Sequence, residues 1–197
     1  MFYYLLLPFL FILPSPAGAA AGSVHAFHSG MNCLGSWKLP DTGQTASYAT
    51  GDDGYYNPAA SQPSYKINNP TGVSSVTADN VTGLMWMTNP KTDAGLGAAY
   101  TWEGALAACE GKDYAGYTDW RLPNMHELMT IINFGVSSNP YINTTYFPST
   151  FAGHYWTSTT DVSSPAYAWV VYFNSPGDIR SDDKTSTNYV RCVRGGP

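Results

Sequence analysis

Trp120-Arg121-Leu122-Pro123-Asn124-Met125-His126-Glu127-Leu128 is the stretch from which the fold is read. Asn124 suits a helix N-cap, and Glu127 stands three residues on, the spacing of a capping box. Leu128, Ile131 and Ile132 then recur at helical spacing, and Asn133-Phe134-Gly135 stops the helix. Upstream, Tyr100 to Gly111 reads as a first helix: Thr101 caps it, Glu103 meets the positive end of its dipole, and Ala105, Leu106, Ala108 and Cys109 form its apolar face. Before it, Leu84-Met85-Trp86-Met87 is bounded by Gly83 and Asn89-Pro90 and reads as a buried strand. Downstream lie strand-like runs at His154 to Thr159, Tyr167 to Phe173 and Asn188 to Arg194. In the middle run nearly every residue is apolar or aromatic, which predicts a central strand covered on both faces. Strand, two helices, then several strands is an α+β order.

The chain has 197 residues, 9 Lys+Arg against 14 Asp+Glu, a net charge of −5 and 15% aromatic residues. That length suits one domain with extensions. The acidic balance argues against nucleic acid as a partner, since phosphate neutralisation needs clustered Lys and Arg. Phe2 to Leu13 is apolar apart from Pro8, and Ala17-Gly18-Ala19 and Ala19-Ala20-Ala21 both fit a cleavage site. Residues 1–21 are therefore expected to be a signal peptide, although its first residues carry no Lys or Arg. A bilayer span takes about 20 apolar residues, and neither this run nor any later one reaches that length. The expected location is secreted, periplasmic or otherwise in the cell envelope. Residues 22–75, rich in Gly, Ser, Thr, Asn, Pro and Tyr, read as a loop-rich N-terminal arm with short strands, and residues 76–195 as the compact domain.

An exported chain meets oxidising conditions, so Cys33, Cys109 and Cys192 are disulfide candidates. Three thiols allow one bridge and leave one over. Closing the long loop between Cys109 and Cys192 stabilises by roughly 4–5 kcal/mol in the chain-entropy account. The competing pairs use Cys33, which sits in a Gly- and Ser-rich segment less suited to a fixed geometry. A spare Cys33, or the arm itself, offers a route to oligomers.

The search for chemistry is mostly negative. His126-Glu127 begins an H-E-x-x-H zinc motif, but position 130 is Thr130, so the second imidazole is absent. Asp52-Asp53-Gly54 and the group Asp178, Asp182 and Asp183 offer oxygen ligands for calcium without the pattern of an EF-hand loop, and solvated acidic turns are favoured. No nucleophile elbow, phosphate loop or dinucleotide fingerprint is present. Among Glu103, Glu110, Asp113, Asp119 and Glu127 nothing selects a glycosidase-type pair. No catalytic residue, metal or cofactor is expected. Trp86, Trp102, Trp120, Trp156 and Trp169 are by default buried aromatics, with one or two left over for stacking on a ligand. Trp156 and Trp169, with Arg180 and Lys184, are the ligand-binding candidates. Arg180, Lys184, Arg191 and Arg194 crowd the last strand region, where they would grip a sulfate or carboxylate or pair internally with Asp178, Asp182 and Asp183.

Several blocks together resemble a known family. They are Asp79-Asn80-Val81-Thr82-Gly83-Leu84-Met85-Trp86, Trp102-Glu103-Gly104-Ala105-Leu106 with Cys109, and Gly116-Tyr117-Thr118-Asp119-Trp120-Arg121-Leu122-Pro123-Asn124 with Glu127-Leu128. Tyr155-Trp156-Thr157-Ser158 and Tyr189-Val190-Arg191-Cys192-Val193-Arg194 complete the set. Over residues 76 to 195 this order resembles the C-terminal domain family of bacterial collagen-like (Lcl) adhesins. The resemblance implies an exported bacterial domain with Cys109 bridged to Cys192, and it makes Trp120, Arg121, Leu122, Pro123, Glu127 and Arg191 the structural motif. It also implies two helices packed on a mostly antiparallel, twisted sheet, since the W-R-L-P-x-x-x-E block and R-C-V-R ending look like formylglycine-generating-enzyme and C-type-lectin-like folds. The family's name-giving adhesin binds sulfated glycosaminoglycans, whereas this chain is acidic and has no Gly-X-Y repeat. The implied function is a non-catalytic, adhesin-like binding domain for glycans or cell-surface components. The alternatives are an envelope assembly protein and an enzyme using a cysteine pair at a copper site.

Overall fold

The computed structural model describes residues 40–56, 63–175 and 177–195. The expected signal peptide and Cys33 lie outside the described residues. The two longest helices start where their cap residues stand. In α3, Trp102–Glu110, the Thr101 hydroxyl accepts the Gly104 N–H, satisfying one of the donors that a helix start leaves open. In α4, Met125–Met129, Asn124 accepts the Glu127 N–H at 2.9 Å while the Glu127 carboxylate accepts the Asn124 N–H at 2.9 Å, the reciprocal bonds of a capping box. This second helix is shorter than its apolar spacing suggests. Thr130 turns its hydroxyl back to the Glu127 carbonyl and ends it, so Ile131 and Ile132 are buried from the irregular turns that follow. Two single turns, α1 (Asp53–Tyr56) and α2 (Pro90–Asp93), complete the helices of the described residues.

The strands are β1 Tyr65–Asn68, β2 Val76–Asp79, β3 Met85–Met87, β4 His154–Thr160, β5 Tyr167–Tyr172, β6 Ile179–Asp183 and β7 Val193–Arg194. They form two antiparallel sheets, one ordered β1-β2-β3-β7 and one ordered β4-β5-β6, where a single twisted sheet was expected. The fold class is α+β. The run from Asn188 to Arg194, read from sequence as one strand, is instead the thread between the sheets. Asn188 bridges Tyr100, Tyr189 bridges Tyr155 of β4, and Val193 pairs with Trp86 of β3 and with Arg121. One short segment serves two sheets and so belongs continuously to neither.

Alternation along β5 divides the interior. Ala168 and Val170 face α3 and meet Ala105, Cys109, Trp156, Val190 and Cys192; Val171 and Phe173 face α4 and meet Leu128, Tyr155, Ile142 and Phe147. β5 is thus the central strand of its sheet with cover on both faces, as its apolar run implied. Burying each such aliphatic or aromatic side chain contributes about 1.5–3 kcal/mol. Cys109 on α3 is bonded to Cys192 across a separation of 83 residues, with Cα atoms 5.5 Å apart, inside the α3-side core. Two of the attachments of the segment before residue 76 lie far apart in sequence. β1 pairs with β2, and the Thr42 carbonyl accepts the Phe134 N–H at 2.8 Å. At the second place the backbones touch, because a Cβ at Gly135 would run into the Gly43 carbonyl and one at Gly43 into the Asn133 amide. Gly43 also sits at φ +90°, where a side chain is strained.

Candidate functional site

The Trp-Arg-Leu-Pro block is a bolt. Trp120, Leu122 and Pro123 are buried, and the Trp120 indole N–H donates to the Tyr114 carbonyl at 3.1 Å. Arg121 exchanges backbone bonds with Val193 at 2.9 Å and forks onto the Glu127 carboxylate with two bonds of 2.7 Å. That partner holds the Arg121 pKa above its ordinary value, although 40% of the side chain remains exposed. Glu127, 4% exposed, therefore caps α4 and anchors the arginine at once.

Arg191 is more unusual. It is 1% exposed, and none of the ion pairs among the described residues involves it. Its Nη1 donates to the Met87 carbonyl at 3.0 Å and its Nη2 to the Thr150 hydroxyl at 2.7 Å, and the guanidinium lies 5.3 Å from the Phe147 ring centre. Burial pushes its pKa down. It fastens the end of β3 to the loop before β4 and has no path to a ligand.

The structure does not bring the four ligand-binding candidates, Trp156, Trp169, Arg180 and Lys184, together. Trp156 is 0% exposed in the α3-side core, its indole N–H donating to the Tyr100 carbonyl at 2.8 Å; it cannot stack on a ligand without opening the core. Trp169 is half-buried on the opposite face of β5 from Val170, whose β6 partner is Arg180, so Trp169 and Arg180 address different sides of the sheet. Lys184 holds its ammonium 3.9 Å over the Trp102 ring and donates to the Thr160 hydroxyl at 3.0 Å. Arg180 is exposed. The expected crowd of basic residues disperses too, because Arg194 forks onto Asp119 at 2.6 and 3.1 Å and lies 3.9 Å over Tyr117. Among the described residues no cation forms an ion pair with Asp178, Asp182 or Asp183.

The acidic turns have structural work. Asp52 accepts backbone N–H groups from Tyr48, Ala49 and Tyr55, which lowers its pKa; Asp183 accepts from Thr185 twice, and Asp182 from Asn188. Among the described residues no group of three or more His, Cys, Asp or Glu is placed to hold a metal ion.

What the register of β4, β5 and β6 does assemble is a rim that sequence reasoning missed. His154 opposes Tyr172, their rings stacked with centres 4.2 Å apart. Arg180 of β6 brings its Nη2 to 3.4 Å from His154 Nδ1. The Tyr172 hydroxyl accepts from the Asn174 amide at 2.8 Å, and Asn139 donates in turn to Asn174. A separate pair, Phe151 and Tyr189, is stacked at 4.4 Å with the Lys91 ammonium 4.6 Å from the Phe151 ring centre, and it packs with Tyr155 on the α4 side of β4, the opposite face from His154. All four of these rings are partly exposed. Desolvation, and then the charge of Arg180, lower the His154 pKa. The half-exposed His154–Tyr172 stack, the side-chain amides and Arg180 can meet a flat apolar face, hydroxyls and an anionic group. The only sequence signal for this rim was alternation within strands, and without the register it joins nothing.

These features define a disulfide-pinned α+β domain with a surface rim of aromatic, amide and cationic groups. A family model, the Lcl C-terminal domain, matches residues 75–194. The chain belongs to that family. No curated protein matches it. Among the described residues no helix is long and apolar enough to cross a membrane.

Proposed function

We propose that the chain works outside the cytoplasm as a non-catalytic binding domain for glycans or other cell-surface components, docking them at the His154–Tyr172–Asn174–Arg180 rim. The observation that carries this reading is the partly exposed His154–Tyr172 stack flanked by the Asn174 amide and by Arg180, a cation with no ion pair among the described residues. Pyranose rings stack on such faces through their C–H groups, while amides and guanidinium hold their polar substituents. The buried Cys109–Cys192 bond supports an oxidising compartment, in keeping with the apolar, small-residue N-terminus. A C-type-lectin-like organisation belongs to the same proposal, on the likeness of the Trp-Arg-Leu-Pro and Arg-Cys-Val-Arg segments. The copper-enzyme alternative is disfavoured because Cys109 and Cys192 are joined to each other and fully buried.

A glycan array probed with the full chain tests this reading. Binding is expected to at least one glycan class, with a roughly tenfold loss for Tyr172→Ala and for Arg180→Ala. Absence of binding at any salt concentration, or binding unchanged in both variants, overturns it.

A further inference from the structure

We infer that His154 and Arg180 form an acid-gated anion site, in which protonation of the imidazole releases the guanidinium and the two cations together take up a sulfate or carboxylate group. The inference deepens the proposed docking rim and rests on that reading for its biological use.

The argument begins with donors and acceptors. Arginine has five N–H donors and no acceptor, so its approach to His154 Nδ1 at 3.4 Å is favourable only while Nδ1 keeps its lone pair. A neutral ring in that state carries its proton on Nε2, and Nε2 is buried without a hydrogen-bond partner among the described residues. The neutral arrangement therefore leaves one donor unsatisfied and occupies Arg180 with a weak, long contact. Other cations are committed more firmly: Arg121 to Glu127, Arg194 to Asp119, Lys184 to Trp102 and Thr160, and Arg191 to the core.

Protonating His154 places an N–H opposite the guanidinium, and the contact becomes a repulsion between like charges. Arg180 is exposed on an edge strand of its sheet and is free to swing away. The groups facing His154 from its neighbours are Tyr172 on β5, Arg180 and Asp182 on β6, and Asp178 just before β6. The Tyr172 ring favours the imidazolium that stacks on it. Asp182 is engaged by the Asn188 amide at 3.0 Å and by the Asp183 N–H at 3.0 Å. Asp178 is exposed, so its charge is screened by solvent. An oxyanion between His154 and Arg180 turns the repulsion into two charge-assisted hydrogen bonds. By linkage, a ligand that prefers the protonated ring binds up to about tenfold more tightly for each pH unit of acidification, until His154 is fully charged in the free protein.

The test uses the full chain and inorganic sulfate, following the His154 ring and the Arg180 side chain by NMR between neutral and acid pH. Sodium sulfate is compared with sodium chloride at equal ionic strength. In chloride the His154 midpoint is expected below the ordinary histidine value of about 6.5, and sulfate is expected to raise it by about half a unit or more. Arg180→Gln is expected to raise the midpoint in chloride and to abolish the sulfate effect. His154→Gln is expected to leave any sulfate response of Arg180 independent of pH. A midpoint indifferent to sulfate, or one shifted equally in Arg180→Gln, overturns the inference. Sulfate coupling without any binding on the glycan array overturns the proposed function and leaves this site standing; array binding without sulfate coupling does the reverse.

Discussion

Replacing both Cys109 and Cys192 by alanine removes the covalent tie between α3 and the closing thread. The bond spans 83 residues, so opening it restores loop entropy to the unfolded chain worth about 4–5 kcal/mol in the chain-entropy account. Both residues are 0% exposed, and the two missing sulfur atoms leave a void that adds about 1 kcal/mol. A total of about 5–6 kcal/mol is comparable with the entire stability of many domains. For a unit of this size it corresponds to a fall in melting temperature of roughly 10–20 °C. Urea titration of the double variant beside the wild type, oxidised and reduced, measures it. The reduced wild type should lose the entropic share and keep the packing share. A loss under about 1 kcal/mol in the double variant, with unchanged denaturant slope, would refute the reasoning, because it would mean the remaining chain already holds α3 against the thread.

Glu127→Gln keeps the size of the cap residue but removes the charge that Arg121 grips with two bonds. Because 40% of the Arg121 side chain reaches solvent, the expected loss is about 1–2 kcal/mol rather than the larger cost of a fully buried broken pair, and Glu127→Ala should lose about 1 kcal/mol more with the cap; chemical denaturation of the two variants gives both figures. Gly135→Ala drives a methyl group into the Gly43 carbonyl, so hydrogen exchange should show Phe134 N–H and the 40–56 segment deprotected while the β5 amides stay protected. At alkaline pH, burial holds the phenols of Tyr65, Tyr114 and Tyr155 in the neutral form, with Tyr114 pushed up to about 12. The unfolded chain loses those protons near pH 10, so this contribution is complete below that value and is lost as the pH rises toward the folded values; stability at pH 8 should exceed that at pH 11, and an equal stability would contradict the burial of these rings.

Local signals were readable where neighbours in sequence decide the structure. The Asn124–Glu127 box and the Thr101 cap involve residues three apart, and both form. The apolar run of β5 announced cover on two sides, and it has it. The apolar spacing overstates the length of α4, because Ile131 and Ile132 keep a helical spacing while Thr130 ends the helix before them. Trp156 reads from sequence as a ligand candidate yet is buried, for a related reason. Composition says that a tryptophan is large and amphipathic, but only the pairing of Trp156 with Val170 says which face it takes. The rim depends on three strands meeting in one register, with His154 and Arg180 separated by 26 residues, and no local pattern carries that information. The second function of Glu127, as anchor of Arg121, is intermediate: the capping spacing was visible, but a side chain serving two partners was not.

The position of the Asn188–Arg194 thread has a consequence for the order in which the molecule can be assembled. Sheet β1-β2-β3-β7 gains its last member from residues 193 and 194, opposite a strand more than a hundred positions earlier, and Cys192 brings the second sulfur at the same late moment. A nascent chain halted before this point has all four described helices and most strands but neither the seam nor the staple, so it stays loose and unlatched until the thread emerges. Closure of this domain then waits on the thread, like drawing a cord tight, and losing residues 192–194 costs far more than their number suggests.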